Sequence, residues 1–239
     1  MKKLTPFIFT LFLFTSCGGG YDINPVDKLI QDMMDSESFS ILLYDMDVRG
    51  NFSKDYFHKY RIIESKNGEV DEVTTDWLQV PERYFEKNAD NLGMELAGKN
   101  KDGKISKIPS PPGYSSYVGN EKYGRWTQRN GTSFWEFYGQ FAFMNAMFNM
   151  MTFPVRRNYY DTYYRDYYGR STYYGPRTSS GNRTYGTNSS YSRKHKTSSN
   201  WSTSPRSSSF RSRVRNSVSR SGSRYSSSSS RSRSGGFGK

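Results

Sequence analysis

Few residues in this 239-residue chain have side chains that do chemistry unaided. There is one cysteine, Cys17, and there are two histidines, His58 and His195. A zinc site needs three or four thiolate, imidazole or carboxylate ligands together, and this set is too sparse for its soft members. Asp45, Asp47 and Gly50 are spaced as in a calcium loop, but Arg49 fills the third acidic slot. Tyr56 stands where that loop needs a bidentate Glu. The stretch "GKNKDGKIS" fails in the same way. Glu69, Asp71 and Glu72 cluster at a hairpin start, where solvated charge is the default, and nothing selects two carboxylates for acid–base work. There is no G-x-S-x-G, S-x-x-K, phosphate loop or dinucleotide fingerprint. The expectation is therefore a non-enzymatic protein, with no catalytic residue, metal or cofactor. His58 reads as a half-buried strand residue.

Charge is the feature that stands out. Residues 155–239 hold 18 Lys and Arg against Asp161 and Asp166, whereas residues 17–154 hold 15 basic and 20 acidic residues. An acidic body with a basic tail suggests an interaction tail. Arg156, Arg157, Arg165 and Arg170 in its Tyr/Arg tract, and Arg211, Arg213 and Arg215 in its Ser/Arg/Gly tract, are candidate contacts to an anionic surface. Tyrosine pairs at 159–160, 163–164, 167–168 and 173–174 can stack along a helix face or make cation–π contacts. The only aliphatic residues here are Val155, Val214 and Val218, so the whole tail is expected to be disordered. Specific nucleic-acid binding is not expected, because no folded module of that kind accompanies the tail.

The N-terminus decides which anions the tail would meet. Lys2 and Lys3 precede an apolar run from Pro6 to Phe14, then Thr15, Ser16 and Cys17. This is the layout of a secretory signal peptide over 1–16, too short to span a bilayer. "FTSC" at 14–17 resembles a bacterial lipobox, with Phe14 where Leu is commoner. The resemblance implies that Cys17 is lipidated, that 17–21 form an anchor and glycine tether, and that the chain is held in a membrane. Gly18, rather than Asp, implies the outer membrane of a diderm cell, periplasm-facing or surface-exposed. The layout as a whole, ending in "GGFGK", is similar to bacterial envelope lipoproteins with a Ser/Gly/Arg-rich tail. It implies a cell-envelope location and a membrane partner through acyl-Cys17; the charge split behind such a signal then makes an anionic envelope polymer or lipid the expected partner of the tail. It implies no particular activity.

Between these ends the periodicity predicts an α+β domain over 22–110: a small antiparallel sheet with an N-terminal helix. Asn24 and Pro25 start the helix, and Val26, Leu29, Ile30, Met33 and Met34 form its apolar stripe. Four or five strands follow, with hairpin turns at Lys66-Asn67-Gly68 and Lys101-Asp102-Gly103. Tyr56, His58, Tyr60 and Ile62 share one strand face. "EVTTDWLQV" reads as one strand and "PERYFEKN" as a short helix. Residues 111–131 read as a Pro/Tyr-rich loop. Residues 132–154 read as one Phe/Met-rich helix, because Phe134, Phe137, Phe141, Met144, Phe148 and Met151 alternate spacings of three and four. That seam could dock on the sheet or another subunit, lie in a membrane interface, or span the bilayer. It would also suit docking on an integral membrane partner.

Overall fold

The structure, a computed structural model, describes residues 24–50 and 53–199, with residues 201 and 212 beyond them. Cys17, its signal segment, Arg211, Arg213 and Arg215 lie outside the described residues.

The architecture is α+β. Helix α1 (Pro25–Asp32) starts as its sequence dictates: the Asn24 side chain accepts a hydrogen bond from the Val26 amide at 3.0 Å, and Pro25 opens the first turn. Val26, Ile30 and Met33 are buried, while Met34, the last of the predicted stripe, is 51% exposed. Strands β1 (Ser38–Arg49), β2 (Asp55–Lys66) and β3 (Glu69–Thr74) form a meander. Asn67 and Gly68, both at positive φ, make the β2–β3 turn that the sequence announces. The predicted strand after it is two pieces, β3 and β4 (Leu78–Val80), both pairing with β2. Helix α2 (Glu82–Asn88) follows, then β5 (Glu95–Lys99) and β6 (Ile105–Ser106). The sheet order is β3-β2-β1-β5-β6, antiparallel throughout, with β4 beside β2 as the sixth strand.

Both faces of this sheet are covered, which explains the nearly unbroken apolar run of β1. Phe39, Ile41, Leu43 and Met46 pack with α1, α2, Tyr60 and Phe85 on one side. Leu42 and Ile63 face a second cluster on the other side, built from residues beyond 110.

That second layer overturns three expectations. First, 111–131 is not a loop throughout: a series of turns over 111–119 leads into strand β7 (Gly124–Arg129). Second, 132–154 is not one helix. Residues Thr132–Phe137 form β8, paired with β7 across an Asn130-Gly131 turn in which both residues have positive φ. Trp126 lies directly opposite Trp135, the rings at 5.2 Å. A 3-10 turn at Gly139–Phe141 and a one-turn helix α3 (Met144–Met147) follow. The three/four spacing of the Phe and Met residues is a coincidence of two periods. Trp135 and Phe137 alternate inward from a strand, and Phe141, Met144 and Phe148 turn inward from the turns after it. Cross-strand aromatic pairing and a turn dipeptide outweigh a seam interrupted by Gly139.

Third, the domain does not end at 110, nor is the chain disordered from 155 onward. Helix α4 (Arg157–Thr162), a π-turn at Tyr163–Tyr167 and helix α5 (Ser190–His195) are folded onto the body. Val155 accepts the Trp135 amide at 2.9 Å, and Arg156 bridges to Phe134, extending the β7–β8 hairpin by a third short edge. Tyr163, Tyr173, Tyr185 and Tyr191 are buried. A tyrosine ring carries an aromatic's apolar area, about 150–250 Å² each, so counting only aliphatics undervalues this segment. Trp201 closes the first core, its ring edge-on to Phe85 at 5.1 Å and its indole N–H on the Ala89 carbonyl at 3.1 Å. The expected disorder of 202–211 and 213–239 falls outside the described residues.

Candidate functional site

The arginines singled out in the Tyr/Arg tract are not strung along a free tail. The β7–β8 hairpin gathers one of them, Arg156, onto a face it shares with two arginines of β7. Alternation along the hairpin puts Arg125, Thr127 and Arg129 of β7 on the same side as Thr132, Phe134 and Glu136 of β8. Arg156 joins them through its bridge to Phe134, with its guanidinium 5.7 Å from that ring and 5.9 Å from Tyr159. Arg157, one residue on, lies 5.6 Å from the Trp126 ring and 3.8 Å from Asp161. Glu136 is the one acid among the facing hairpin positions, and Arg129 holds it at 2.9 Å. Three guanidinium groups and a half-buried phenyl ring thus share a face with one carboxylate.

Arg165 and Arg170 sit elsewhere. Arg165 makes a two-pronged pair with its neighbour Asp166 at 2.8 and 2.9 Å, and Arg170 donates to the Arg165 carbonyl at 3.1 Å. That mutual pairing holds Asp166 below the usual carboxylate range and Arg165 above its usual value. Arg125 and Arg129 were missed in the sequence. The Asn130-Gly131 turn, read as a hairpin, would have placed them opposite Glu136 and Thr132.

The Phe/Met seam is corrected here as well. Phe137, Phe141, Met144 and Phe148 are interior, joined through Tyr117, Tyr123 and Trp135. Phe134 is half-buried on the basic face, and only Met151 stands out, 85% exposed. Four of the six therefore present no outward docking face. The same segment does expose Tyr138 and Phe143. Among the described residues, no helix is long and apolar enough to cross a membrane.

His58 is fully buried rather than half-buried. Burial pushes its imidazole down to about 3; Nδ1 lies 3.0 Å from the Tyr60 hydroxyl, and Nε2 has no partner. Asp45 accepts from the Met46 amide and the Ser199 hydroxyl, and Asp47 from Val48 and Arg49. Among the described residues no three His, Cys, Asp or Glu converge as metal ligands would.

Among the described residues the most buried carboxylate is Glu95, 1% exposed and unremarked in the sequence. It accepts from the Gly113 and Ser115 amides, both at 3.0 Å, from the Ser40 and Ser116 hydroxyls at 2.5 and 2.9 Å, and from the Ser115 hydroxyl. Burial raises its pKa, while those bonds to Ser115, Ser40 and Ser116 oppose the rise. These five donors tie the 111–119 turns to β1 and β5.

No family model, curated protein or solved structure matches the chain. The basic aromatic face is thus judged on its own geometry. Arg156 beside the Phe134 ring, with Arg125 and Arg129 on the same side, makes a cluster of guanidinium groups of the kind that suits phosphate or carboxylate groups on a surface.

Proposed function

We propose that the protein is a non-enzymatic, membrane-anchored lipoprotein of the cell envelope. Acyl-Cys17 is its anchor, and the α+β body is a binding module that rests on an anionic lipid surface. The observation that carries this reading is the basic aromatic face: Arg125, Arg129 and Arg156 around Phe134. Each Lys or Arg close to an anionic membrane contributes about 1 kcal/mol, so these three would add about 3 kcal/mol to an acyl anchor at low salt. The same charges weaken as salt shortens the Debye length. Exposed Tyr138, Phe143 and Met151 are the kind of side chains that suit the water–lipid boundary. Residues 200–239 carry nine further Lys and Arg and no acid, which extends the same chemistry along the chain.

The test is sedimentation with vesicles of phosphatidylglycerol and phosphatidylcholine, set beside vesicles of phosphatidylcholine alone. The protein should pellet with the anionic vesicles at low salt and be released by salt. Arg125→Gln with Arg129→Gln and Arg156→Gln should bind several-fold more weakly. Equal pelleting by that triple variant and the wild type would remove the face from the account. Pelleting on neutral vesicles as well as on anionic ones would remove the charge argument.

A further inference from the structure

A second site is a cleft of about 210 Å³ between the turn that joins β5 to β6, the 111–119 turns, and the stretch from α4 to Tyr168. One wall is tyrosine. Tyr160, Tyr164 and Tyr168 follow one another at spacing four, and their rings stack in series: 6.1 Å and 27° for the first pair, 5.2 Å and 16° for the second. Tyr164, in the middle of the series, is 52% exposed. Gly119, at φ +78°, is required behind the first ring, because a Cβ there would lie 2.7 Å from the Tyr160 hydroxyl oxygen. That hydroxyl donates to the Val118 carbonyl at 2.9 Å, so the wall is fixed in place before any ligand arrives.

The rest of the lining is polar and mixed in sense. The Tyr168 hydroxyl accepts from Asn100 Nδ2 at 3.3 Å, which leaves the phenol its own proton to give. Asn120, 7% exposed, accepts the Lys122 amide at 3.1 Å on Oδ1, and its Nδ2 makes no hydrogen bond among the described residues. The Ser116 hydroxyl donates to Glu95 at 2.9 Å, so its oxygen is left to accept, as is the Tyr160 oxygen. Asn100 shapes the rim by taking the Asp102 and Lys104 amides on Oδ1 at 3.0 and 2.9 Å. That rim carries one charge of each sign, Lys101 and Asp102, both exposed.

We propose that this cleft binds a neutral sugar ring of a glycan. An anion needs donors and a cation needs acceptors, and this lining is neither set alone. A hydroxyl gives one proton and takes another, so a ring of hydroxyls uses both sets at once. A gluco-configured pyranose carries its hydroxyls around its rim and C–H bonds on its two faces, and such a face packs on a tyrosine ring without stranding a polar group. The volume corresponds to about seven water molecules at about 30 Å³ each, room for one pyranose whose neighbours in the glycan extend from the mouth. None of these residues belongs to the basic face, so the two sites stand or fall separately.

The test is calorimetric titration of the full chain with cellotriose, tri-N-acetylchitotriose and trigalacturonate. At least one of the two neutral trisaccharides should bind saturably below about 10 mM, equally at low and high salt, and raise Tm. Tighter binding of cellotriose assigns the site to a plain glucan; tighter binding of the chitotriose assigns it to an N-acetylated one. Tyr164→Ala, at an exposed position, should weaken that binding about tenfold, and Tyr164→Phe should stay within about twofold, because the ring and not its hydroxyl makes the contact. Tyr164→Ala should still pellet with anionic vesicles as the wild type does, which separates failure of this site from failure of the basic face. Nitration of the wild type with tetranitromethane, read by peptide mass spectrometry, needs no variant. The sugar should protect Tyr164 and leave Tyr138, 39% exposed, unchanged. No saturable binding of either neutral trisaccharide, trigalacturonate binding tighter than both, undiminished binding by Tyr164→Ala, or equal nitration of Tyr164 with and without sugar each overturns the proposal.

Discussion

Replacing Glu95 by Gln is the sharpest probe of how the second layer is fastened to the sheet. The change is nearly isosteric, so it tests hydrogen bonding rather than volume. One carboxylate oxygen takes the Ser115 amide and hydroxyl; the other takes the Gly113 amide with the Ser40 and Ser116 hydroxyls. A glutamine places its own NH2 at one of these two positions. Hydroxyls can rotate to accept from it, but a backbone N–H cannot. Either orientation therefore leaves one buried amide facing a donor, at a cost of about 1–3 kcal/mol for the unmade bond alone. With the loss of charge from the remaining bonds, about 2–3 kcal/mol is expected, or about 4–12 °C in Tm for a folded unit of this size. Glu95→Ala strands both amides and leaves a cavity, and should cost about 4–5 kcal/mol. Gly98→Ala should act on the same knot, because its Cβ would lie 2.5 Å from Ser115 Oγ and 2.8 Å from Glu95 Oε1.

The pH dependence has a definite sign. The folded pKa of Glu95 is raised above the unfolded value of 4.5. In the window between those two values the native state holds the proton that the unfolded state has released. The stability from Glu95 is therefore fully present below about 4.5 and is lost as pH rises through the raised pKa. Glu95→Gln should remove that part of the slope. The assay is thermal melting from pH 4 to 8 by circular dichroism. A Glu95→Gln variant within about 0.5 kcal/mol of wild type, the size of an ordinary surface change, would refute the reasoning.

Other outcomes follow from the same structure. His58 should give the opposite pH trend: its pKa falls from 6.5 unfolded to about 3 folded, so its stability contribution is present above 6.5 and lost as pH drops toward 3. His58→Phe should flatten acid unfolding in that window, checked by the same melts. Phe148→Ala should cost about 3–5 kcal/mol, whereas Met151→Ala should stay within about 0.5 kcal/mol; urea unfolding of the pair separates the observed turns from a continuous helical seam. Trp201→Ala should also cost about 3–5 kcal/mol, seen as a lower urea midpoint, because the ring closes the first core against Phe85.

How legible this fold was depended on which residues carried it. Asn24-Pro25 and Asn67-Gly68 are local devices whose geometry follows from their own side chains or positive φ, so α1 and the β2–β3 turn were readable. The alternation of Tyr56, His58 and Tyr60 was readable for the same reason. The layer beyond 110 was not, because its evidence is non-local. Trp126 and Trp135 matter only when paired, and the tyrosines of 159–191 look like a solvated tract until they meet the cluster around Tyr114. Asn130-Gly131 was as strong a turn dipeptide as Asn67-Gly68, but the three/four rhythm after it obscured its meaning. For the sites, the arginine content was visible and its clustering was not. Arg125 and Arg129 become neighbours of Arg156 only through hairpin register. Asn100 and Tyr168, 68 positions apart, share a cleft only because the chain after α4 folds back against the β5–β6 turn.

The central claim is that this module works at a membrane to which Cys17 fastens it. It is tested most directly by intact-mass and peptide mass spectrometry of the chain recovered from cell membranes, beside Cys17→Ala. The account predicts a mature chain that starts at an acylated Cys17 and a variant that leaves the membrane fraction. An unmodified Cys17 in a chain that still begins at Met1 and stays in the soluble fraction would contradict it.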